Sequence, residues 1–349
     1  MSFNFNKIVN YKNSNPYIIA EIGNNHNGSL LLAKKLIIEA KNSGADCVKF
    51  QTFSTDSLFS EKIFKNNPQL KKDSDKYTLT LNDFIILKKF AQNKKIDFTA
   101  TPFSIKEVDF LVKILKVKLI KIASMDINNY PFIEYISKTK KLIIISTGFG
   151  SKDEIKKAIS ILKKNKAKFS VLHCVSEYPP KINKLNLIRI PYLKKIFRVP
   201  VGFSDHTIGV DSSLIALSLG ANIIEKHFTL NKKMKGWDHS ISADPKELKI
   251  ITNFSQNINM KLGIKKIYRV ESEKSTKQFR RSIVANKVIS KGKKILLSDL
   301  NFKRPGNGLE PSKLKMIVGK YSKKTIYYDE QILLKNITQY WILLINNNI

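Results

Sequence analysis

Residues 17–29 read Tyr17-Ile18-Ile19-Ala20-Glu21-Ile22-Gly23-Asn24-Asn25-His26-Asn27-Gly28-Ser29. The apolar run ends at a turn rich in Gly and Asn, and Ser29 then opens a helix-like stretch, so the segment reads as a strand followed by a helix. An open doubly wound sheet usually carries a Gly-x-Gly-x-x-Gly phosphate loop at this first turn. Here the glycines stand at positions 23 and 28, without that spacing. The turn therefore turns the choice of α/β architecture away from a dinucleotide fold.

Outward from this unit the same rhythm continues. Strand-like runs fall at 17–22, 47–53, 97–100, 119–122, 142–146, 169–173, 199–203 and 222–227. Helix-like stretches fall at 29–42, 81–93, 105–115, 131–137, 152–164, 187–195, 210–219 and 245–262. Eight strands each followed by a helix predict a (β/α)8 TIM barrel over residues 1–262. A polar insertion, 54–80, interrupts the rhythm after the second strand, on the face where barrel sites form, and is placed to cover a substrate. Residues 263–281 read as a charged linker, 282–338 as a small mostly-β domain with short runs such as Ser282-Ile283-Val284-Ala285, and 339–349 as an apolar tail. So small a domain is near the lower limit of independent stability and calls for docking onto the barrel or a neighbouring subunit.

The chain has 349 residues, 42% hydrophobic and 26% charged, with a formal net charge of +34. Such a charge raises the possibility of nucleic-acid binding on a decayed barrel. The lysines, however, are spread through nearly every segment, and Asn and Ile are abundant beside them, as an A/T-rich coding sequence would give. We read the charge as compositional drift, with nucleic acid not a partner, although a basic field helps draw in an anionic substrate. Two cysteines, Cys47 and Cys174, offer neither a disulfide framework nor metal-ligand spacing, which suits a reducing cytoplasm. No apolar signal core opens the chain, and no run has the length of a membrane span.

Barrel chemistry gathers at the C-terminal ends of strands. Those ends carry Glu21; Lys49 and Gln51, which share a face; Thr101; Lys121, Ser124 and Asp126; Ser146; and His173 through Ser176 to Tyr178. The last two units end in Ser204-Asp205-His206-Thr207 and Glu225-Lys226-His227-Phe228. Two imidazoles from successive units suit a divalent metal, and a carboxylate beside them would complete a centre able to polarise a carbonyl. Lysines inside buried strands need a partner: either an ion pair, for example Lys49 or Lys121 with Glu21 or Glu225, or a bound anion. With Thr101, Ser124, Ser146 and Ser204 they form a cradle for a phosphate and a carboxylate, unless those hydroxyls serve as helix caps. This points to carbon–carbon condensation or to phosphate-ester chemistry. Of the other histidines, His173 reads as a hydrogen-bonded core group, His26 as loop structure or substrate contact, and His239 as solvated.

The residues resemble the sialic acid (nonulosonate) synthase family. The likeness rests on 19–29, Lys49-Phe50-Gln51-Thr52, Thr101-Pro102-Phe103, Ser146-Thr147-Gly148, Ser204-Asp205-His206-Thr207 and Glu225-Lys226-His227-Phe228-Thr229, in that order. Lys303-Arg304-Pro305-Gly306-Asn307-Gly308 resembles the family's antifreeze-like (SAF) domain. The resemblance implies a transferase that condenses phosphoenolpyruvate with an N-acylated hexosamine, N-acetylmannosamine or a 2,4-diacetamido-trideoxyhexose. The product is a nine-carbon 2-keto-3-deoxy acid. It further implies that Lys49, Thr101, Lys121, Ser124, Ser146, Ser176 and Ser204 hold phosphoenolpyruvate, and that His206 and His227 hold Mn2+ or Mg2+ with Glu21 nearby through water. Gln51, Tyr178 and Asp238 would contact the sugar, and Arg304 would enter a neighbouring site in a domain-swapped homodimer. The chain departs from the family pattern in Ala123-Ser124-Met125-Asp126, where a glutamate usually stands at position 126, and at Trp237, where a proline is common. Glu177-Tyr178-Pro179 and Asp238-His239 lean toward the diacetyllegionaminate type.

Overall fold

The alternating runs form eight parallel strands: β1 (Tyr17–Gly23), β2 (Cys47–Thr52), β3 (Asp97–Pro102), β4 (Leu119–Ile122), β5 (Leu142–Ser146), β6 (Phe169–Cys174), β7 (Val201–Asp205) and β8 (Ile223–His227). A computed structural model describes residues 5–11, 14–264 and 266–338. The strands are ordered β3-β2-β1-β8-β7-β6-β5-β4, so first and last pair directly, with Glu21 opposite His227. Between β3 and β4 no backbone ladder forms among the described residues; the buried Thr99 hydroxyl donates instead to the Leu119 carbonyl at 2.6 Å. The result is a nearly closed (β/α)8 barrel, as its pattern predicted.

Local signals fix the helices between strands. Ser29 caps Leu30–Asn42 by accepting from the Leu32 N–H. Capping boxes of Thr80 with Asp83, Ser151 with Glu154 and Asp244 with Glu247 start Leu81–Asn93, Lys152–Lys164 and Pro245–Leu262. Each satisfies backbone donors that a helix leaves free at its first turn.

The lower barrel interior is apolar. Tyr17, Ile19, Cys47, Leu119, Ile144, Leu172 and Ile223 form one cluster there, closed by Phe5 and by Ile8 of the short helix Asn6–Val9. Ile8 is 1% exposed, and burying such a side chain contributes about 1.5–3 kcal/mol.

Two expectations change, at β7 and at the linker, and the polar insertion gains a structure. β7 starts at Val201 rather than 199 and runs to Asp205, because Pro200 lacks an N–H for the ladder while Asp205 still pairs with Lys226. The insertion is helical: Thr55–Leu58, Glu61–Asn66 and Pro68–Tyr77, the last capped by Asn67. Of the last two, Glu61–Asn66 buries Phe64 and Pro68–Tyr77 buries Ser74, so neither leaves an apolar stripe to read. The stretch read as a linker contains the helix Glu273–Phe279, capped by Ser272.

Contacts divide the chain into two units at Gly263/Ile264. In the second, β9 (Ser282–Ala285) pairs antiparallel with β10 (Leu300–Lys303), and β11 (Tyr321–Ser322) with β12 (Ile337–Thr338). Its own core includes Ile283, Ile289, Ile295, Ile317, Ile326 and Ile332. Among the described residues no helix is long and apolar enough to cross a membrane. The apolar tail at 339–349 lies outside the described residues.

Candidate active site

Strand alternation decides what faces inward. Above the apolar cluster the same strand faces turn polar: Ile19 is followed inward by Glu21, Cys47 by Lys49 and Gln51, Leu119 by Lys121, Ile144 by Ser146, Leu172 by Cys174 and Ile223 by Glu225 and His227. These upper residues line a cavity of about 350 Å3 at the C-terminal mouth of the barrel.

A four-membered charge network floors the cavity. Lys49 Nζ lies 2.6 Å from Glu21 and 3.7 Å from Glu225, and Lys121 Nζ lies 3.3 Å from Glu225. Ser204 donates to Glu225 at 2.9 Å, Gln51 to Glu21 at 3.2 Å, and Lys49 to Thr101 at 3.0 Å. The lysines are thus ion-paired, the first of the two readings the sequence left open, and the four charges cancel. The two glutamates are driven apart. Burial, reinforced by Glu225, raises the Glu21 carboxyl above its ordinary range. Burial also opposes ionisation of Glu225, but Lys121 and then Lys49 overcome it and hold the group at about 2. Glu225 is therefore a fixed anion, and Glu21 is the carboxylate nearer to taking a proton. Burial lowers Lys121, whereas the two glutamates outweigh burial at Lys49 and raise it.

Hydroxyls surround this floor. Ser146 Oγ is buried without a hydrogen-bond partner, an unsatisfied donor inside the cavity. Ser124 donates to Cys174 Sγ at 3.5 Å, and Ser176 Oγ stands 3.4 Å from the same sulfur. Gly148 allows this approach: a Cβ there would lie 2.1 Å from Ser176 Oγ and 2.6 Å from Ser124 Oγ. The unpaired Ser146 hydroxyl and the converging Ser124 and Ser176 hydroxyls, beside two lysines, form a cradle that suits a tetrahedral oxyanion.

The imidazoles complete the wall. Their ring centroids are 5.6 Å apart, and Tyr178 stacks on His206 at 4.1 Å with its edge toward His227 at 5.9 Å. His206 Nδ1 lies 3.0 Å from the Val175 carbonyl, which can only accept, so Nδ1 carries a proton, and in the neutral ring Nε2 holds the lone pair. Burial lowers His227 to about 4, leaving it neutral near pH 7. Its Nδ1 is buried without a hydrogen bond, 3.8 Å from Asp238. No three His, Cys, Asp or Glu donors among the described residues are grouped to hold an ion alone. Burial opposes protonation of His206, but Cys174 and then the Val175 carbonyl outweigh it and raise this imidazole above its ordinary value. Two imidazoles, once His206 has shed its second proton, nevertheless fit a divalent cation completed by water or substrate.

Of the residues singled out from sequence, Glu21, Lys49, Gln51, Thr101, Lys121, Ser124, Ser146, Ser176, Tyr178, Ser204, His206 and His227 share this cavity. Asp238 stands behind His227. Asp126 does not line the cavity; one oxygen accepts from Asn129 at 3.0 Å and the other is buried without a partner. Arg304 belongs to the second unit, its guanidinium 5.4 Å over Phe279. His239, read as solvated, is 1% exposed and joins Thr229 to Asn27. His173 is a core group, bonded to the Leu185 carbonyl at 2.6 Å. Glu225 and Cys174 were missing from the expected site. Strand alternation could have found both, since each lies two residues beyond an inward apolar residue of its strand.

The NeuB family profile matches residues 36–267, and a SAF domain profile matches 280–338. The chain belongs to the NeuB family. NeuB-type enzymes with different products surround it. It is 42% identical to the N,N'-diacetyllegionaminic acid synthase of Campylobacter jejuni, over 90% of this chain and 98% of that one. It is 35% identical to a pseudaminic acid synthase of the same organism, over 90% and 95%. The solved N-acetylneuraminic acid (sialic acid) synthetase of Leptospira borgpetersenii, crystallised with citrate, superposes with a TM-score of 0.70 at 38% identity, covering 75% of this chain and 90% of that one. This NeuB protein is a condensing transferase with a nonulosonate synthase role, and it uses phosphoenolpyruvate.

Proposed function

We propose that the chain joins phosphoenolpyruvate to a 2,4-diacetamido-trideoxyhexose, or to the related N-acetylmannosamine, giving a nine-carbon 2-keto-3-deoxy acid and inorganic phosphate. The observation that carries this is the meeting, in one cavity, of Lys49, Lys121 and four serine hydroxyls with two imidazoles. An oxyanion cradle beside an electrophile site is what an enol phosphate and an aldehyde require together. The 42% identity to a diacetyllegionaminic acid synthase supports the diacetamido sugar as the acceptor.

In this reading Lys49, Thr101, Lys121, Ser124, Ser146, Ser176 and Ser204 hold the phosphate and carboxylate of phosphoenolpyruvate. Gln51, Tyr178 and Asp238 contact the sugar. His206 and His227 would hold Mn2+ or Mg2+, with Glu21 nearby through water; such a cation, when bound, supplies Lewis-acid polarisation of the acceptor aldehyde. The enol carbon forms the new bond to the aldehyde carbon, whose oxygen is left as an alkoxide. Water adds to the cation left at the phosphate-bearing carbon; one of its protons passes through Glu21 to the alkoxide. The C–O bond to phosphate then breaks, and the phosphate leaves with the second proton as the ketone forms. Glu21, its carboxyl raised by burial, takes the first proton of that water. Asp126 supports the β4 turn through Asn129. The small second unit docks in a swapped homodimer, where Arg304 completes the partner's site.

Purified protein with Mn2+ and phosphoenolpyruvate is expected to release phosphate only when an acceptor from a panel of N-acylated hexosamines is present. The matching keto acid should appear by mass. Absence of release with every sugar would refute the reading. For the dimer, Arg304→Ala mixed with His206→Ala is expected to regain activity that neither shows alone; no recovery would refute site sharing.

A further inference from the structure

The residues between the site residues of the last two strands point the other way. At the end of β7, Ser204 and the following His206 face the cavity and Asp205 does not; on β8, Glu225 and His227 face it and Lys226 does not. Asp205 and Lys226 are partners in the ladder, so they stand back to back with the site. Both are 1% exposed, and they form an ion pair of 2.9 Å on the outer side of the sheet.

The pair's polar atoms hold the turn that carries His206 and tie it to the helix behind. Lys226 Nζ donates to the Thr207 carbonyl at 2.7 Å. Asp205 Oδ1 accepts from the Thr207 N–H at 2.8 Å and from its hydroxyl at 2.7 Å. Asp205 Oδ2 accepts from Ser213 at 2.6 Å, which ties the turn to the helix Asp211–Ser218 behind the sheet. A buried ion pair costs much of its attraction in desolvation and is weak grounds for stability alone. Here it immobilises the residue after His206 from three directions, while His206 donates Nδ1–H to Val175 on the loop after the neighbouring strand β6.

We propose that Asp205 and Lys226 are positioning residues: their ion pair, through Thr207, fixes the height of the His206 imidazole at the cavity and so keeps its Nδ1 against the Val175 carbonyl that selects the tautomer. This rests on the proposed role of His206 as a working imidazole. It assigns the middle residues of both motifs, which the chemistry at the cavity does not use.

The test is the pair of variants Asp205→Asn/Lys226→Met and Thr207→Val in the full-length protein. Replacing both partners avoids leaving one buried charge unpaired. The readouts are the imidazole nitrogen NMR spectrum, with His206 assigned through His206→Gln, and the separate kcat and KM for phosphoenolpyruvate. At alkaline pH, where the ring is neutral, the wild-type spectrum is expected to show His206 as one Nδ1–H tautomer, and the double variant to lose that single state. Its kcat should fall about tenfold or more, with KM for phosphoenolpyruvate changed by less than about threefold. Thr207→Val should show the same pattern to a smaller extent. A double variant with unaltered imidazole signals and kcat overturns the proposal. Should it fail to fold, Thr207→Val decides alone, and unaltered signals and kcat there overturn it. If no acceptor supports turnover in the wild type, the proposed function fails, while the imidazole spectra still decide the positioning role.

Discussion

The lower and upper halves of the barrel interior are built by the same strands yet do opposite work. Below, Tyr17, Ile19, Leu119, Ile144, Leu172 and Ile223 fill space and shed water. One inward step higher, Glu21, Lys121, Ser146, Cys174 and Glu225 carry charge and polar groups into equally deep burial. Position along a strand, rather than burial, separates core from chemistry. The lower half is stable because it is apolar and packed. The upper half persists because its charges cancel in the Glu21–Lys49–Glu225–Lys121 network.

Removing one member of that network should break the balance most severely. Glu225→Gln leaves two buried lysines facing a single carboxylate, and is expected to cost about 3–5 kcal/mol in a urea titration. A loss under about 1 kcal/mol would show that the charges are not mutually dependent.

Neighbouring inward positions on β5 sharpen the contrast. Ile144→Ala is expected to lose about 2–5 kcal/mol of stability while turnover per folded molecule stays within about twofold. Ser146→Ala removes a hydroxyl that has no partner in the free protein, so stability should change by less than about 1 kcal/mol. Its KM for phosphoenolpyruvate should rise about tenfold, as a lost oxyanion hydrogen bond implies. Equal behaviour of the two variants would erase the division between the halves.

Acid should act on the upper half and the adjoining first turn. Burial lowers both His227 and His26 to about 4, against about 6.5 in an unfolded chain. The unfolded state therefore binds more protons below pH 6.5, and stability present at neutral pH is lost as pH falls toward 4. Between pH 7 and pH 5 the metal-free protein should lose roughly 2 kcal/mol per imidazole, seen as a falling urea midpoint. A His227→Gln variant should lose correspondingly less, and an unchanged slope would contradict the assignment.

The smallest effect concerns the cradle's shape. Gly148→Ala forces the Ser124 and Ser176 hydroxyls aside and should raise KM for phosphoenolpyruvate about threefold to tenfold with little change in melting temperature. An unchanged KM would mean those hydroxyls do not hold the substrate.

Much of this was legible in the sequence because strand period and strand-end position carry it. Lys49 with Gln51, and His206 with His227, could be placed on one face before any coordinates. What stayed hidden depends on contacts between distant segments. Glu225 was noticed only as a pairing option, since its importance comes from lysines on β2 and β4. His239 looked solvated because its loop is polar, yet Thr229 and Asn27 bury it. The insertion read only as polar, and its last two helices were not legible because they have few buried positions. Asp126 sat near the β4 end in sequence, but the turn Ser124–Asp126 carries it out of the cavity lining.

The most direct test is calorimetric titration of phosphoenolpyruvate, without sugar, into the wild type and into Ser146→Ala/Ser176→Ala, which leaves the charge network intact. One phosphoenolpyruvate should bind per wild-type chain, and the double variant should bind at least about tenfold more weakly at an unchanged melting temperature. No binding to the wild type, or equal binding to both, would contradict the assignment of the upper barrel as the enol phosphate site.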